Sequence, residues 1–283
     1  MLTNMNRMLS KARQNRYAVG AFEFWSLDSA FAVTEAANHL RTDVILQVGH
    51  YERDYLGGYP NARKVAEMAA ERFDFDVALH LDHAESYDEI QRALDGGFTS
   101  VMIDGSALPF GENVRLTKRV VELARRYGAS AEAELGRLVG NEGGVSSESD
   151  AQTDPLEARR FVEETGVDAL AVAIGTAHGF YKRTPKINIE RLREIARLVD
   201  IPLVLHGGSG TPEDKVAESI LYGIAKVNIC TEFIDAYKQG YVNAVVSDSF
   251  SCNVPGLFGK GQETAENLVK SKLSLFLTHR EKL

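Results

Sequence analysis

The sequence predicts an α/β protein built as a single closed (β/α)8 barrel, on three observations. Short apolar or β-branched runs alternate with helical stretches in eight unbroken β-then-α units. Such alternation implies a parallel sheet with helices outside it, and eight units are the number that closes the sheet. The chain has 283 residues, close to the roughly 250 typical of such a barrel. No composition shift or linker divides it, which disfavours an open doubly wound sheet and predicts one domain over 1–283.

The elements follow in order. The polar N-terminal stretch MLTNMNRMLSKARQNR lacks the apolar core and small-residue cleavage site of a signal peptide and reads as a short helix. AVGAF (18–22) is the first strand and DSAFAVTEAANHL (28–40) its helix. DVILQV (43–48) precedes a helix near 60–72, VALHLD (77–82) a helix at 86–95, and TSVMID (99–104) a helix at 111–127. ASAEAEL (129–135) leads into a polar, glycine-rich stretch at 136–154, then a helix at 155–165. DALAVAI (168–174), PLVLHG (202–207) and AKVNIC (225–230) complete the strands, with helices at 188–199, 212–222 and after 230. A loop as long as 136–154 in a compact domain is usually functional, and its glycines with Asn141 and Glu142 suggest a mobile lid over the site.

Composition narrows the function classes. Apolar residues make up 44% and charged residues 25%, ordinary for a globular domain. A net charge of −8 without a Lys/Arg run argues against nucleic-acid or anionic-membrane binding. Two cysteines, Cys230 and Cys252, make no disulfide framework and suggest a reducing, cytoplasmic setting. No continuous apolar run of about 18 residues is present to span a membrane.

In a (β/α)8 barrel the active site lies at the C-terminal ends of the strands. The polar residues there are Glu23, Gly49 with His50, Asp82 with His83, Asp104, Glu134, His178, His206 and Asn228. A single histidine in such a place is ordinarily a hydrogen-bonded pocket residue. Three of them among carboxylates make a metal site the better reading, since three protein ligands with an open position are the pattern of catalytic zinc. Asp82 and His83 are neighbours and would point to opposite faces of a regular strand, so the chain must turn there for both to serve. His80 alternates with Asp82 and is expected to fill the barrel interior. HGGSGTP (206–212) ends a strand in glycines and opens a helix, a place where backbone N–H groups bind phosphate. NICTE (228–232) and HGFYK (178–182) lie beside it in the barrel order. Covalent imine chemistry needs an interior lysine at the mouth. The strand 168–174 has none, and Lys226 is expected far from the mouth, near the start of the last strand.

Beyond these readings, YAVGAF (17–22), LHLDHAESYDEI (79–90), GGFTSVMIDGS (96–106), AEAELGRLVGNE (131–142), GVDALAVAIGTAHGFYK (166–182), PLVLHGGSG (202–210) and KVNICTE (226–232) occur in an order that resembles the class II fructose-bisphosphate/tagatose-bisphosphate aldolases. The resemblance covers most of the chain. It implies a lyase that reversibly cleaves a phosphorylated ketose to dihydroxyacetone phosphate and an aldehyde. It further implies zinc held by His83, His178 and His206, with Asp104 and Glu134 near an alternative metal position. Asp82 would handle the C4 hydroxyl proton, and Glu142 the proton on the carbon left behind. Gly179, Gly207, Ser209, Asn228 and Thr231 would contact the phosphate and donor half, where a monovalent cation, Na⁺ or K⁺, often binds. A homodimer or homotetramer is expected by the same resemblance.

The chain departs from the family pattern on the aldehyde side. Glu23 stands where Asn is usual, Gly49 where Ser or Thr is common, and Cys230 where Ala, Asn or Asp is usual. The acceptor half is therefore expected to be non-standard. Either His50, Arg53 and Arg137 approach a different anionic head group, or Glu23 bonds a polyol hydroxyl. The competing readings are a non-catalytic sugar-phosphate-binding protein and a metal-dependent sugar-phosphate isomerase or epimerase on the same scaffold.

Overall fold

The structure is a computed structural model that describes residues 1–71, 73–137, 140–142, 145–147, 152–177, 179, 185–247 and 253–280. Its elements run α1 (Asn6–Gln14), β1 (Val19–Glu23), α2 (Leu27–Leu40), β2 (Val44–Val48), α3 (His50–Tyr55), α4 (Tyr59–Ala70), β3 (Val77–Ala84), α5 (Tyr87–Asp95), β4 (Ser100–Ile103), α6 (Phe110–Arg126) and β5 (Ser130–Leu135). They continue with β6 (Gly140–Glu142), β7 (Val145–Ser147), α7 (Pro155–Thr165), β8 (Ala169–Val172), α8 (Ile189–Leu198), β9 (Leu203–Leu205), α9 (Glu213–Leu221), β10 (Ile224–Ile229), α10 (Thr231–Ser247) and α11 (Val254–Phe276). The barrel closes in the order β1-β2-β3-β4-β5-β8-β9-β10 and back to β1, with every pair parallel. This is the predicted (β/α)8 architecture in a single domain.

Local sequence sets the helix ends. Ser26 and Ser29 form a reciprocal capping box at the start of α2. Asp154 caps α7, whose first residue is Pro155, and Gly166 ends it at a left-handed φ of 64°. Two features differ from the sequence reading. The short helix α3 has no buried residue, so no apolar periodicity announces it. The 136–154 stretch contains the antiparallel ribbon β6–β7, which was expected as irregular loop.

Two apolar layers hold the barrel. The outer layer packs strands against the surrounding helices. The inner one lies at the N-terminal end, where Met5, Met8, Leu9 and Ala12 of α1 pack with Ala21, Ile45, Ala78, Ala171, Val204 and Ala225. The small strand residues leave room for α1 to plug the barrel floor, and each large side chain buried there contributes about 1.5–3 kcal/mol. Above that plug the interior turns polar, with His80, Ser100, Glu132 and Lys226 all fully buried. Among the described residues no helix is long and apolar enough to cross a membrane.

Candidate active site

The site begins with an irregularity in β3. Its pairing with β4 shifts between Leu81 and Ala84, so Asp82 and His83 together oppose one residue of β4. His83 sits at a φ of 48°, the left-handed backbone of a bulge that re-aims a side chain. Both neighbours are buried, and both belong to one cluster of convergent ligand atoms. The expected turn is thus a bulge within the strand.

Two overlapping groups could hold a metal. Ligand atoms of Asp82, His83 and His206 lie within 4.8 Å of one another, as do those of His83, Asp104 and Glu134. His83 is common to both. Its Nδ1 is 3.1 Å from Asp104 Oδ2, and the His83 and His206 rings stand 4.8 Å apart between centroids. His206 Nδ1 is 3.1 Å from Glu134 Oε2 and its Nε2 is 2.9 Å from Glu132 Oε1. Two imidazoles among buried carboxylates form a donor set suited to a divalent cation.

The electrostatics point the same way. Burial would lower the pKa of His83, but Asp82, Asp104 and Glu134 outweigh it and lift the ring to about 10. Burial and the neighbouring Asp104 push the Glu134 carboxyl up. Burial also opposes ionisation of Asp82, yet His83, Lys226 and His206 hold its carboxyl below the usual range. A pocket so rich in buried carboxylate attracts positive charge.

Asp82 is oriented from two sides. Gln47 Nε2 donates to its Oδ2 at 3.0 Å, and Asn228 Nδ2 reaches Oδ1 at 3.2 Å. Asn228, expected at the phosphate, therefore also supports the acid/base candidate. The phosphate candidates are brought together at the loops after β9 and β10. Ser209 Oγ accepts from the backbone N–H of Glu232 at 3.3 Å, next to Thr231 at the start of α10. Gly207 has a φ of 64°, and a Cβ there would strike the carbonyl oxygen of Ala177 in the loop after β8. Gly179, in that same loop, has a φ of 83°.

Glu23 lies buried at the end of β1 and accepts from Gln47 Nε2 and from the backbone N–H of Gly49, both at 3.2 Å. The arginines considered for an anionic head group are engaged elsewhere. Arg53 contacts Glu89 at 2.6 Å and Asp54 at 2.8 Å, and Arg137 donates to the carbonyl of Ala107 at 2.8 Å. His178 lies outside the described residues, and so does the side chain of Glu142, whose backbone ends β6.

The polar layer below corrects one expectation and supplies residues the sequence reading missed. Lys226 is not remote from the site. It is fully buried, with Nζ 2.9 Å from Glu132, the carboxylate that contacts His206. That ion pair occupies the ammonium, so the case against imine chemistry stands on a different ground. His80 fills the interior as expected, with Nδ1 2.8 Å from Ser100 Oγ. Burial and the Lys226 charge lower its pKa to about 3, leaving it neutral. Glu132 and Gln47 were missed, although the alternation of Ser130, Glu132 and Glu134 along β5 places all three on one face.

With this geometry in hand, comparison with known proteins is decisive. The family model for class II fructose-bisphosphate aldolase matches residues 3–280. The chain belongs to that family. It is a lyase of the aldolase type, in a family that is metal-dependent and acts on phosphorylated sugars. Among solved structures it is similar to the YdjI aldolase of Escherichia coli K12, at 32% identity over 98% of this chain and 97% of that one, with a TM-score of 0.85. A Coccidioides immitis protein provisionally named a fructose-1,6-biphosphate aldolase is 30% identical over 97% of this chain and 96% of that one, with a TM-score of 0.85. The fructose-bisphosphate aldolase of Campylobacter jejuni has the same fold, with 20% identity over 99% of this chain and 97% of that one and a TM-score of 0.81. The family sets aside the non-catalytic and isomerase readings.

Proposed function

We propose that this enzyme reversibly cleaves a phosphorylated ketose into dihydroxyacetone phosphate and an aldehyde, with a divalent metal, zinc, held by His83, His178 and His206 beside Asp82. The observation that carries the proposal is the convergence of side-chain atoms of Asp82, His83 and His206 within 4.8 Å of one another, on the barrel face that also bears Gly207, Ser209 and Thr231.

His83 and His206 would hold the metal together with His178, and Asp104 with Glu134 would offer the alternative position. When bound, the ion supplies Lewis-acid polarisation of the ketose carbonyl. The remaining work falls to the chain. Gly207, Ser209, Asn228, Thr231 and Gly179 bind the donor phosphate, beside a monovalent cation. Asp82, ionised and held by Gln47 and Asn228, takes the proton of the C4 hydroxyl as the C3–C4 bond breaks. Glu142 returns a proton to C3 of the departing ketone fragment. Each such transfer contributes about 10²–10⁴ in rate. We further place the enzyme in the cytoplasm as a homo-oligomer.

A screen of phosphorylated ketoses, following release of dihydroxyacetone phosphate, tests this directly. Release that stops on chelation and returns with zinc is expected. Chelator-resistant cleavage, or no cleavage of any ketose phosphate by metal-loaded enzyme, would overturn it.

A further inference from the structure

Resting on the aldolase reading of this site, we infer that the acceptor half takes an unphosphorylated, polyhydroxylated aldehyde of four or more carbons, so that the substrate is a ketose 1-phosphate and not a bisphosphate. Beside Asp82 and His83 lies a cavity of about 70 Å³, lined also by Glu23, Gly49, His50, Tyr51, Glu52 and Cys230. A second cavity of about 340 Å³ meets it at Tyr51 and Glu52, which line both, and extends past Trp25 and Tyr55. The path from the reacting centre outward is therefore acidic first and aromatic after.

The charge is wrong for a terminal phosphate. Neither cavity is lined by a Lys or Arg among the described residues, and the His50 ring at the wall of the first packs on Tyr51, 3.9 Å between centroids. Arg53, next to Glu52 in the chain, and Arg137 are committed to Glu89, Asp54 and the Ala107 carbonyl. The backbone N–H of Gly49 already donates to Glu23 Oε2, so a protein carboxylate occupies a donor that an incoming anion would need. Gly49 permits this crowding, since a Cβ there would lie 3.0 Å from Glu52 Oε2 and 3.9 Å from Glu23 Oε1. A phosphate placed there would face three carboxyl groups, Glu23, Glu52 and Asp82, with no Lys or Arg among the described lining residues to pair with it, a mismatch that sets specificity.

The hydrogen-bonding character suits hydroxyl groups. A carboxyl group accepts hydrogen bonds whether ionised or protonated and adds a donor when protonated, so it can pair with either side of a sugar hydroxyl. Two further acceptors adjoin Asp82. Gln47 Oε1 and Asn228 Oδ1 are buried without a hydrogen-bond partner among the described residues. Farther out, Tyr51 and Tyr55 are 69% and 77% exposed and offer rings against which the carbon faces of a longer chain can lie. Apolar and aromatic walls with a few fixed polar groups are the usual make-up of a small-molecule pocket. In the condensation direction C3 of dihydroxyacetone phosphate loses a proton, the C3–C4 bond forms to the aldehyde carbon, and the aldehyde oxygen gains a proton from Asp82.

The test is a condensation assay on zinc-loaded enzyme with dihydroxyacetone phosphate and a panel of acceptors. The panel holds glyceraldehyde 3-phosphate, glyceraldehyde, and four- to six-carbon aldoses. The longer unphosphorylated aldoses should exceed glyceraldehyde 3-phosphate at least tenfold in kcat/KM. Glu52→Gln and Glu23→Gln, each checked for folding by circular dichroism, should narrow that gap by raising KM for the aldose and lowering it for the phosphorylated acceptor. Equal or better use of glyceraldehyde 3-phosphate by the wild-type enzyme overturns the inference whatever the variants do. Solvent exchange of the C3 hydrogen of dihydroxyacetone phosphate, measured without acceptor, separates the two levels. Exchange together with a glyceraldehyde 3-phosphate preference defeats only the acceptor assignment. Loss of exchange and of all condensation defeats the aldolase reading beneath it.

Discussion

His206 Nε2 lies 2.9 Å from Glu132 Oε1, and Lys226 Nζ closes on the other oxygen of the same carboxylate at 2.9 Å. A candidate ligand at the barrel mouth is thereby fixed from below by a buried ion pair. Carboxylate partners of this kind orient ligating imidazoles and set their tautomer.

Replacing Glu132 by Gln should weaken metal binding by about 10–100-fold, with the fold retained. Competition against a calibrated chelator measures this, and unchanged affinity would show that His206 needs no orienting partner.

Lys226→Met leaves the Glu132 carboxylate buried without its cation, which costs about 3–5 kcal/mol for a broken buried pair. The pH trend has a definite sign. Burial would raise the Glu132 carboxyl, but Lys226 and His206 outweigh it and hold it well below the usual range. The stability this depressed group confers is present above its ordinary value of 4.5 and is lost only as pH falls through the lower folded value. In Lys226→Met the uncompensated carboxylate is instead relieved by protonation. The stability gap between wild type and variant should therefore be widest near neutrality and narrow as the pH is lowered. Urea unfolding across that range reads it out, and a gap constant with pH would contradict the pairing.

Asp82→Ala removes the group that Gln47 and Asn228 hold in place. The cleavage rate should fall by about 10²–10⁴, while metal is retained through the histidines. Near wild-type turnover by this variant would remove Asp82 from the proton transfer.

Gly207→Ala places a Cβ at a φ of 64° against the Ala177 carbonyl. A non-glycine residue held there costs about 1–3 kcal/mol, and the shift of the loop should raise KM for the phosphorylated donor. Thermal unfolding and donor saturation curves check both effects, and a variant with wild-type Tm and KM would argue against the tight approach of these loops.

Cys230 should resist alkylation at neutral pH in the native enzyme. Burial pushes its thiol well above the usual value of 9.0, and Glu23, Glu52 and Asp82 push it further. Peptide mapping after iodoacetamide treatment separates its reactivity from that of Cys252. Rapid native labelling of Cys230 would refute the acidic, enclosed setting of the acceptor cavity.

The sequence alone determined the barrel, because strand and helix periodicities and N-caps are local signals that survive without tertiary context. The motif order likewise brought out the aldolase resemblance, with His83, His206, Asp82 and the glycine-rich HGGSG turn as marked residues. Tertiary structure decided what those residues face. Only the β3 bulge and the left-handed His83 turn two consecutive side chains into one cluster, and the run LDHA does not display a φ angle. Only barrel closure brings Lys226 of β10 against Glu132 of β5, 94 residues apart, so a lysine that looked remote proves to support the site. The helix α3 was illegible because it buries nothing, yet it carries Glu52 and Tyr51 to the acceptor cavity. Placement across a closed barrel depends on register and strand order, and no local pattern encodes these.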